Sequence, residues 1–292
     1  MIKKYCKLLR IHHYVKNVFV LLPLFFSKEL LNVSACVKCI VAFLAFGLIS
    51  SVVYIMNDIK DIESDRNHPK KKNRPLASGA ISVRSATVFS VFIFALGTAA
   101  AVYACWNNIY SIIYLGIYFV LNVLYSHGLK NYPIVDVTIL AAGFLLRVLF
   151  GGGIIGVEIS DWLYLTVITI SFYLALGKRR NEFKSTGGDG SSRKSLKFYN
   201  FEFLDKMMYV FASLSIVFYS LWCIDPITTQ KIPGERLIWT VPIVIILFMR
   251  YCYVIEGDSD GDPTDVLLHD KFMCGIAGLY ALYLLAVMYI FV

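Results

Sequence analysis

Charge is scarce in this sequence. Only 16% of its 292 residues are Asp, Glu, Lys or Arg, against about 25% in ordinary soluble domains. With 58% hydrophobic and 15% aromatic residues, that scarcity excludes a water-soluble globular domain. Metal-ligand spacings are scarce too. The seven cysteines, at 6, 36, 39, 105, 223, 252 and 274, contain one CxxC, Cys36 and Cys39. It has no second pair for zinc and no βαβ context for thiol–disulfide chemistry, so helix packing is the expected role. His12, His13, His68, His127 and His269 share no ligand spacing and are expected at a membrane interface. No linker or short repeat divides the chain, which predicts one domain over 1–292. No small-residue cleavage site follows the basic, then apolar, N-terminus, so a retained anchor is expected. "GDSDGDPTD" at 257–265 lacks the bidentate Glu of a calcium loop; it is expected to close over a cytoplasmic mouth.

What the chain has in quantity is long apolar runs. A spanning helix needs about 20 such residues, and runs fall near 18–34, 36–57, 82–104, 108–126, 133–155, 161–177, 206–224, 236–254 and 272–291. The reading is an all-α integral membrane protein with nine transmembrane helices in one bundle. With the N-terminus inside, 23 of the 28 basic residues lie on the cytoplasmic side, four (Lys28, Lys38, Lys231 and Arg236) outside, and Arg147 within a span. Positive loops stay in the cytoplasm, so the N-terminus is expected there. The net charge of +8 is this loop bias together with any anionic ligand the loops hold, and no nucleic-acid partner is expected. The long connections at 58–81, 127–132, 178–205 and 255–271 then share the cytoplasmic side, where an active site is expected.

One segment breaks the scarcity of charge: "YIMNDIKDIESDRNHPKKKNRPLASG", from Tyr54 to Gly79. If the second span continues past Asn57, then Asn57, Asp58, Asp61 and Asp65 lie within about 100° of one another, and Glu63 points away. An Asn and three Asp offer only oxygen ligands, the preference of Mg²⁺. Like charges crowded on one face destabilise a helix unless something binds there. Lys70, Lys71, Lys72 and Arg74 follow, suited to phosphate oxygens or to anionic lipid headgroups. Arg147 within a span is a functional candidate, since inserting it costs at least about 2.5 kcal/mol; a strut to nearby carbonyls is the other role open to it. Tyr125, Ser126 and Lys130 are donors suited to ribose or phosphate, as well as ordinary interfacial anchors, and Lys16 and Asn17 are weighed in the same way. Gly151, Gly152 and Gly153 are expected to admit a neighbouring helix.

"NDIKDIESD" resembles the NDxxDxxxD signature of the UbiA-type intramembrane prenyltransferase superfamily, and the nine-span layout is similar to that family's. "HHYVKN" (12–17), "NRPLASG" (73–79), "YSHGLK" (125–130), "DVTILAAGFLLR" (136–147), "GKRRNE" (177–182) and "DGDPTDVLLHDK" (260–271) resemble its decaprenyl-phosphate phosphoribosyltransferase branch. Where aromatic prenyltransferases of the superfamily carry a second aspartate motif, this chain has Lys178, Arg179, Arg180, Asn181 and Glu182. Cations there suit direct phosphate binding. The resemblance implies transfer of a phosphoribosyl group from phosphoribosyl pyrophosphate to a polyprenyl phosphate in the bacterial plasma membrane. Asn57, Asp58, Asp61 and Asp65 would hold Mg²⁺, the three aspartates being catalytic. Lys16, Asn17, Lys70, Lys71, Lys72, Arg74, Tyr125, Ser126, Lys130, Asp136, Arg147, Lys178, Arg179, Arg180 and Glu182 would bind the substrates. A prenyltransferase with a prenyl diphosphate donor, and a transport or lipid-binding protein without covalent chemistry, remain as alternatives. Membrane lipids are expected partners; prenyl chain length is not readable, and neither is whether the chain forms a homo-oligomer.

Overall fold

The computed structural model describes residues 2–67, 71–188, 194–230, 232, 234–257 and 261–290, and every regular element among them is helical. The principal helices are α1 (Ile2–Leu9), α2 (Val33–Lys60), α3 (Val83–Ala104), α4 (Ile112–His127), α5 (Val135–Ile155), α6 (Asp161–Thr186), α7 (Phe201–Ile224), α8 (Thr240–Glu256) and α9 (Lys271–Leu285). Asn32, Ser82, Ser160, Asn200 and Asp270 open α2, α3, α6, α7 and α9, each accepting from the backbone N–H three residues on. Such caps satisfy donors that a helix start leaves without partners. Gly187 ends α6 at φ 64, a left-handed conformation that glycine adopts without strain.

Six segments are long and apolar enough to cross a membrane: Val33–Lys60, Val83–Ala104, Ile109–His127, Val135–Ile155, Phe201–Ile224 and Lys271–Ile290. They coincide with six of the nine expected spans. The first expected span is broken instead. Ile11–Leu21 is a 3₁₀ helix, Leu22–Phe26 a short α-helix with Pro23 in its first turn, and Lys28 is left-handed at φ 64; Pro23 brings no N–H to the helical ladder. The run at 161–177 lies in α6, which continues through Lys178, Arg179, Arg180 and Lys184. The run at 236–254 yields α8, with 17 residues.

The chain divides into two compact units, Met1–Ser126 with Leu146–Glu158, and His127–Leu145 with Ile159–Val292. In the first, Ala42, Ala45, Phe46 and Ile49 of α2 pack with Ala101 and Ala104 of α3, Leu115 and Tyr118 of α4, and Phe150. Lipid is as apolar as these side chains, so close backbone approach and packing hold such helices together. The glycine run serves this end, as expected. A Cβ on Gly151 would stand 2.0 Å from the Val20 carbonyl oxygen, and one on Gly153 2.4 Å from Ser111 Oγ. A 3₁₀ helix repeats every three residues, so Tyr14, Asn17 and Val20 share a stripe; Asn17 and Val20 are buried and the Tyr14 hydroxyl meets Ser51 Oγ at 3.1 Å. The second unit packs Tyr173 and Leu176 of α6 with Leu204 and Met208 of α7 and Tyr251 and Ile255 of α8. Val88, Val91 and Phe92 of α3 and Ile113 and Val120 of α4 are each more than half exposed. An apolar face of this kind is what lipid covers, and the protein is a multi-pass membrane protein.

Gly151→Ala should lower unfolding stability in detergent by about 1–3 kcal/mol through overpacking. Gly116→Ala, where no atom lies within 4 Å of the added carbon, is the neutral control. Equal thermal-unfolding midpoints for the two variants would show that the Gly151 contact is loose.

Candidate active site

The helical bonding of α2 carries on past its end, with Asp61 N–H donating to the Asn57 carbonyl at 3.0 Å and Asp65 N–H to that of Asp61 at 2.8 Å. Asp61 itself (φ −96, ψ 11) separates α2 from the short helix Ile62–Arg66. The expected face therefore forms with a break at Asp61, and Glu63 is exposed, away from it. Asp58 and Asp65 are each 3% exposed. Arg10 Nη2 donates to Asp58 Oδ1 at 2.5 Å, and Arg74 Nη1 donates to Asp58 Oδ1 at 3.1 Å and to Asp65 Oδ2 at 2.6 Å. Arg74, expected to meet substrate phosphate, thus also binds two carboxylates of this chain. Lys71 is half-buried and Lys72 exposed; Lys70 lies outside the described residues.

Asn57 Oδ1 is buried without a hydrogen-bond partner among the described residues, and an unsatisfied buried acceptor costs about 1–3 kcal/mol. Asp61 lies one turn on and is half-buried. No group of three or more His, Cys, Asp or Glu side chains that could hold a metal occurs among the described residues. Asn57, Asp58, Asp61 and Asp65 offer oxygen donors alone. That set fits Mg²⁺, which is usually held by one or two carboxylates, with substrate phosphates and water completing an octahedron.

A second polar cluster of the same unit surrounds Arg147, which is 5% exposed. Its Nε donates to Asn17 Oδ1 at 2.9 Å and its Nη2 to the Tyr118 hydroxyl at 3.3 Å, while the guanidinium lies 4.5 Å from the Phe46 ring and 4.8 Å from that of Tyr118. Two aromatic faces and a side-chain amide stabilise this buried charge. Asn17, 1% exposed, is the partner of Arg147, a pairing across 130 residues that neither motif announces. Lys16 and Tyr125 are half-buried; Ser126 is buried, and its carbonyl accepts from Lys60 Nζ at 2.9 Å.

In the second unit, Asp136 is fully buried. Its Oδ1 accepts from the Tyr199 hydroxyl at 2.8 Å and Val137 N–H at 2.9 Å, and its Oδ2 from Arg179 Nε at 2.9 Å and Ser195 Oγ at 3.2 Å. Asp136, expected to touch substrate, has its carboxylate surrounded by four donors, one of them Arg179. Burial pushes the Tyr199 phenol up from its usual range; the Ile134 N–H opposes this, and the bond to Asp136 adds to it. Arg179 also binds Glu182, and Arg180 binds Asp205 at 2.6 Å and Glu256, stacking 4.6 Å from the Phe201 ring. The two arginines are 1% and 3% exposed, so the expected open phosphate-binding cations are carboxylate-paired. A buried guanidinium without an anion would carry a desolvation cost of several kcal/mol. Lys178 is paired to Asp262 at 2.5 Å but its side chain is 38% exposed, and Lys130 is half-buried. Gly261 (φ +71) lies close on Gly177, Lys178 and Asn181, so the described part of the 257–265 loop seats on the cationic stretch of α6. Arg10, Tyr118, Ser195, Tyr199, Asp205, Glu256 and Asp262 were absent from the sequence-based site. The readable clue was that buried arginines require acids.

Asp136→Ala should cost about 3–5 kcal/mol of stability by removing the buried carboxylate to which Arg179, Ser195 and Tyr199 donate, and Tyr199→Phe about 1 kcal/mol for one hydrogen bond. Thermal unfolding of the purified variants checks both values. An unchanged midpoint for Asp136→Ala would show that these bonds add no stability.

Residues 19–274 match the UbiA prenyltransferase family. Among curated proteins, the chain is 32% identical to the decaprenyl-phosphate phosphoribosyltransferase of Corynebacterium glutamicum, over 91% of this chain and 81% of that one. It is 30% identical to that of Mycolicibacterium smegmatis, over 81% and 76%. Among solved structures, a UbiA homolog from Archaeoglobus fulgidus bound to GPP and Mg²⁺ superposes with a TM-score of 0.71 at 19% identity, covering 98% of this chain and 100% of the other. A structure described as digeranylgeranylglyceryl phosphate synthase gives 0.68 at 20% identity, over 98% of both chains. The family match spans most of the chain and the fold agrees along nearly all of it: this protein belongs to the UbiA prenyltransferase family.

Proposed function

We propose that this protein transfers a 5-phosphoribosyl group from phosphoribosyl pyrophosphate to a polyprenyl, decaprenyl-like, phosphate at the cytoplasmic side of a bacterial inner membrane. The observation that carries this reading is an oxygen-only acid motif at the end of α2 in a sequence that reads Lys-Arg-Arg-Asn-Glu at 178–182, where a second aspartate motif would stand. The named activity of relatives over 91% of the chain supports the same donor and acceptor. A prenyl diphosphate donor fits less well, since the 178–182 stretch does not carry the second aspartate motif of the aromatic prenyltransferases.

Asn57 and Asp61 would hold Mg²⁺, with Asp58 and Asp65 beside them. Bound Mg²⁺ would offset the diphosphate charge that grows as the C1–O bond breaks. Lys71, Lys72 and Arg74, with Lys70 of the same basic run, would position phosphate groups, and Lys130 and Lys178 would each offer a cation to phosphate, while Arg179 and Arg180 are each held by two carboxylates. The electron pair of the broken bond leaves with diphosphate, and a lipid phosphate oxygen supplies the pair for the new bond to C1. That oxygen is already anionic, so no general base is required. Orientation of two bound anions then carries much of the rate. Lys16, Asn17, Tyr125, Ser126, Arg147 and Glu182 shape and support the binding region. The three interrupted or short apolar segments would bring the crossings to nine, with the N-terminus cytoplasmic. Whether the unit is a monomer or a homo-oligomer does not enter this chemistry.

Purified protein given Mg²⁺, labelled phosphoribosyl pyrophosphate and polyprenyl phosphate should label the lipid and release diphosphate. Asn57→Ala and Asp61→Ala should each lower turnover about 100-fold or more while membrane insertion persists. Labelling only from a prenyl diphosphate would overturn the donor assignment. For orientation, a variant retaining only Cys6, which is exposed, should react with an impermeant maleimide only after spheroplasts are permeabilised. Reaction with intact spheroplasts would invert the topology.

A further inference from the structure

The short helix α1 has two unlike faces. At about 100° per residue, Tyr5, Leu8 and Leu9 fall on one side, and Lys3, Lys4 and Lys7 on the other. The first face is built into the protein. Leu8 is fully buried, in a cluster with Ile55 of α2, Leu76 and Ile81 of the turn before α3, and Ala86 of α3. The Tyr5 ring meets Phe89 edge-on at 4.7 Å, and its hydroxyl lies 2.7 Å from Ser85 Oγ. The Leu9 carbonyl accepts from Ser51 Oγ at 2.7 Å, and Lys7 Nζ donates to the Asn73 carbonyl at 2.9 Å. At Arg10 the chain leaves α1 for the 3₁₀ helix through a left-handed corner, φ 51 and ψ 48, a conformation unfavourable for any residue but glycine. The Asp58 carboxylate and the Tyr54 ring, 4.8 Å from the guanidinium, hold that corner in place.

We propose that α1 is an interfacial helix whose lysine face binds the anionic headgroups of membrane phospholipids while its other face clamps the 73–85 segment. Depth is the first argument. The contacts of α1 are with Ile55 and Ile59 in the last two turns of α2 and with Ser85, Ala86 and Phe89 in the first two turns of α3. Both helices are long and apolar enough to cross a membrane, so their adjoining ends place α1 where the hydrocarbon stops. From Val88, 66% exposed, α3 turns an apolar face outward. Charge is the second argument. Residues 2–9 and 71–84 contain seven Lys or Arg and no Asp or Glu, and five of the seven, Lys3, Lys4, Lys7, Lys72 and Arg84, are exposed. Basic side chains beside a bilayer are drawn to anionic headgroups over about one Debye length. A free interfacial helix buries its apolar face in lipid; α1 has that face on protein and leaves only its charges for the membrane. Attraction on the lysine face is thereby transmitted through Tyr5, Lys7 and Leu8 to the turn that leads into α3.

The test uses the whole chain with Cys6, exposed on α1, as its single cysteine and carrying a nitroxide. The labelled protein is placed in nanodiscs of phosphatidylcholine, or of phosphatidylcholine with phosphatidylglycerol, and electron paramagnetic resonance reads collisions of the label with a neutral nickel chelate in the water. The anionic lipid should lower the collision rate about threefold or more, and high salt should restore it. Replacing Lys3→Gln together with Lys4→Gln should abolish the response. Equal rates in the two membranes, or a response that survives loss of both lysines, would overturn the proposal. Inorganic phosphate added to phosphatidylcholine discs should change nothing; an effect equal to that of phosphatidylglycerol would assign the lysine face to free phosphate instead. Hydrogen exchange reads the clamp. Tyr5→Phe with Lys7→Gln should speed exchange in peptides from 73–85 about tenfold, with peptides from α6 and α7 at wild-type rates as the check on folding. Unchanged exchange at 73–85 would remove the clamp. Neither readout uses turnover, so failure of the phosphoribosyl reading would leave both results standing.

Discussion

A charge taken out of water must find its opposite, and in an apolar helical protein few places supply one. Moving a carboxylate or guanidinium into a medium of low dielectric costs on the order of 20 kcal/mol in the idealised limit and several kcal/mol after relaxation. Asp58, Asp65, Asp136, Arg147, Arg179 and Arg180 are all buried. Asp58, Asp65, Asp136, Arg179 and Arg180 meet a charge of opposite sign directly, and two aromatic faces and the Asn17 amide lie against Arg147. The positions of α1, of the 71–79 turn and of the acids at 205 and 256 follow from that requirement as much as from apolar packing.

The same requirement decides how open each cation is to an anionic substrate. Arg179 and Arg180 are held by carboxylates in a water-poor setting, where the Coulomb attraction is strong. The Lys178–Asp262 pair is more than a third exposed on its lysine side, and screening leaves such pairs worth about 1 kcal/mol or less. A run of three adjacent cations is therefore not one functional group. The two arginines organise the ends of α6, α7 and α8, and the lysine is the member most accessible to solvent.

Much of the fold was legible because its cause is local. Apolar length marked six crossings, and the glycine run at 151–153 marked a close approach, since an added Cβ has nowhere to go. The face shared by Asn57, Asp58, Asp61 and Asp65 follows from helical period alone. The remainder depends on partners distant in sequence. Arg10 lies 48 residues from Asp58, Asp136 lies 43 from Arg179, and Arg180 lies 76 from Glu256; no periodicity connects them. The break in the first span was hidden for another reason. A 3₁₀ helix and an α-helix of the same composition are equally apolar, and only the hydrogen-bond register distinguishes them.

In the proposed cation site, position 57 would supply an oxygen without adding charge. A fourth aspartate there would place another negative charge beside Asp58, Asp61 and Asp65, while Arg10 and Arg74 are already engaged with Asp58 and Asp65. An amide offers the same kind of carbonyl oxygen with no net charge to neutralise. The cost that remains is one unsatisfied acceptor, Asn57 Oδ1, about 1–3 kcal/mol and well below that of an unpaired buried carboxylate. A cation that accepts this oxygen relieves the cost on binding, so the stability given up by the protein reappears as affinity at the place where the ligand is needed. Asn at this position is therefore a different solution from Asp, and the two are not interchangeable even though both can present an oxygen ligand.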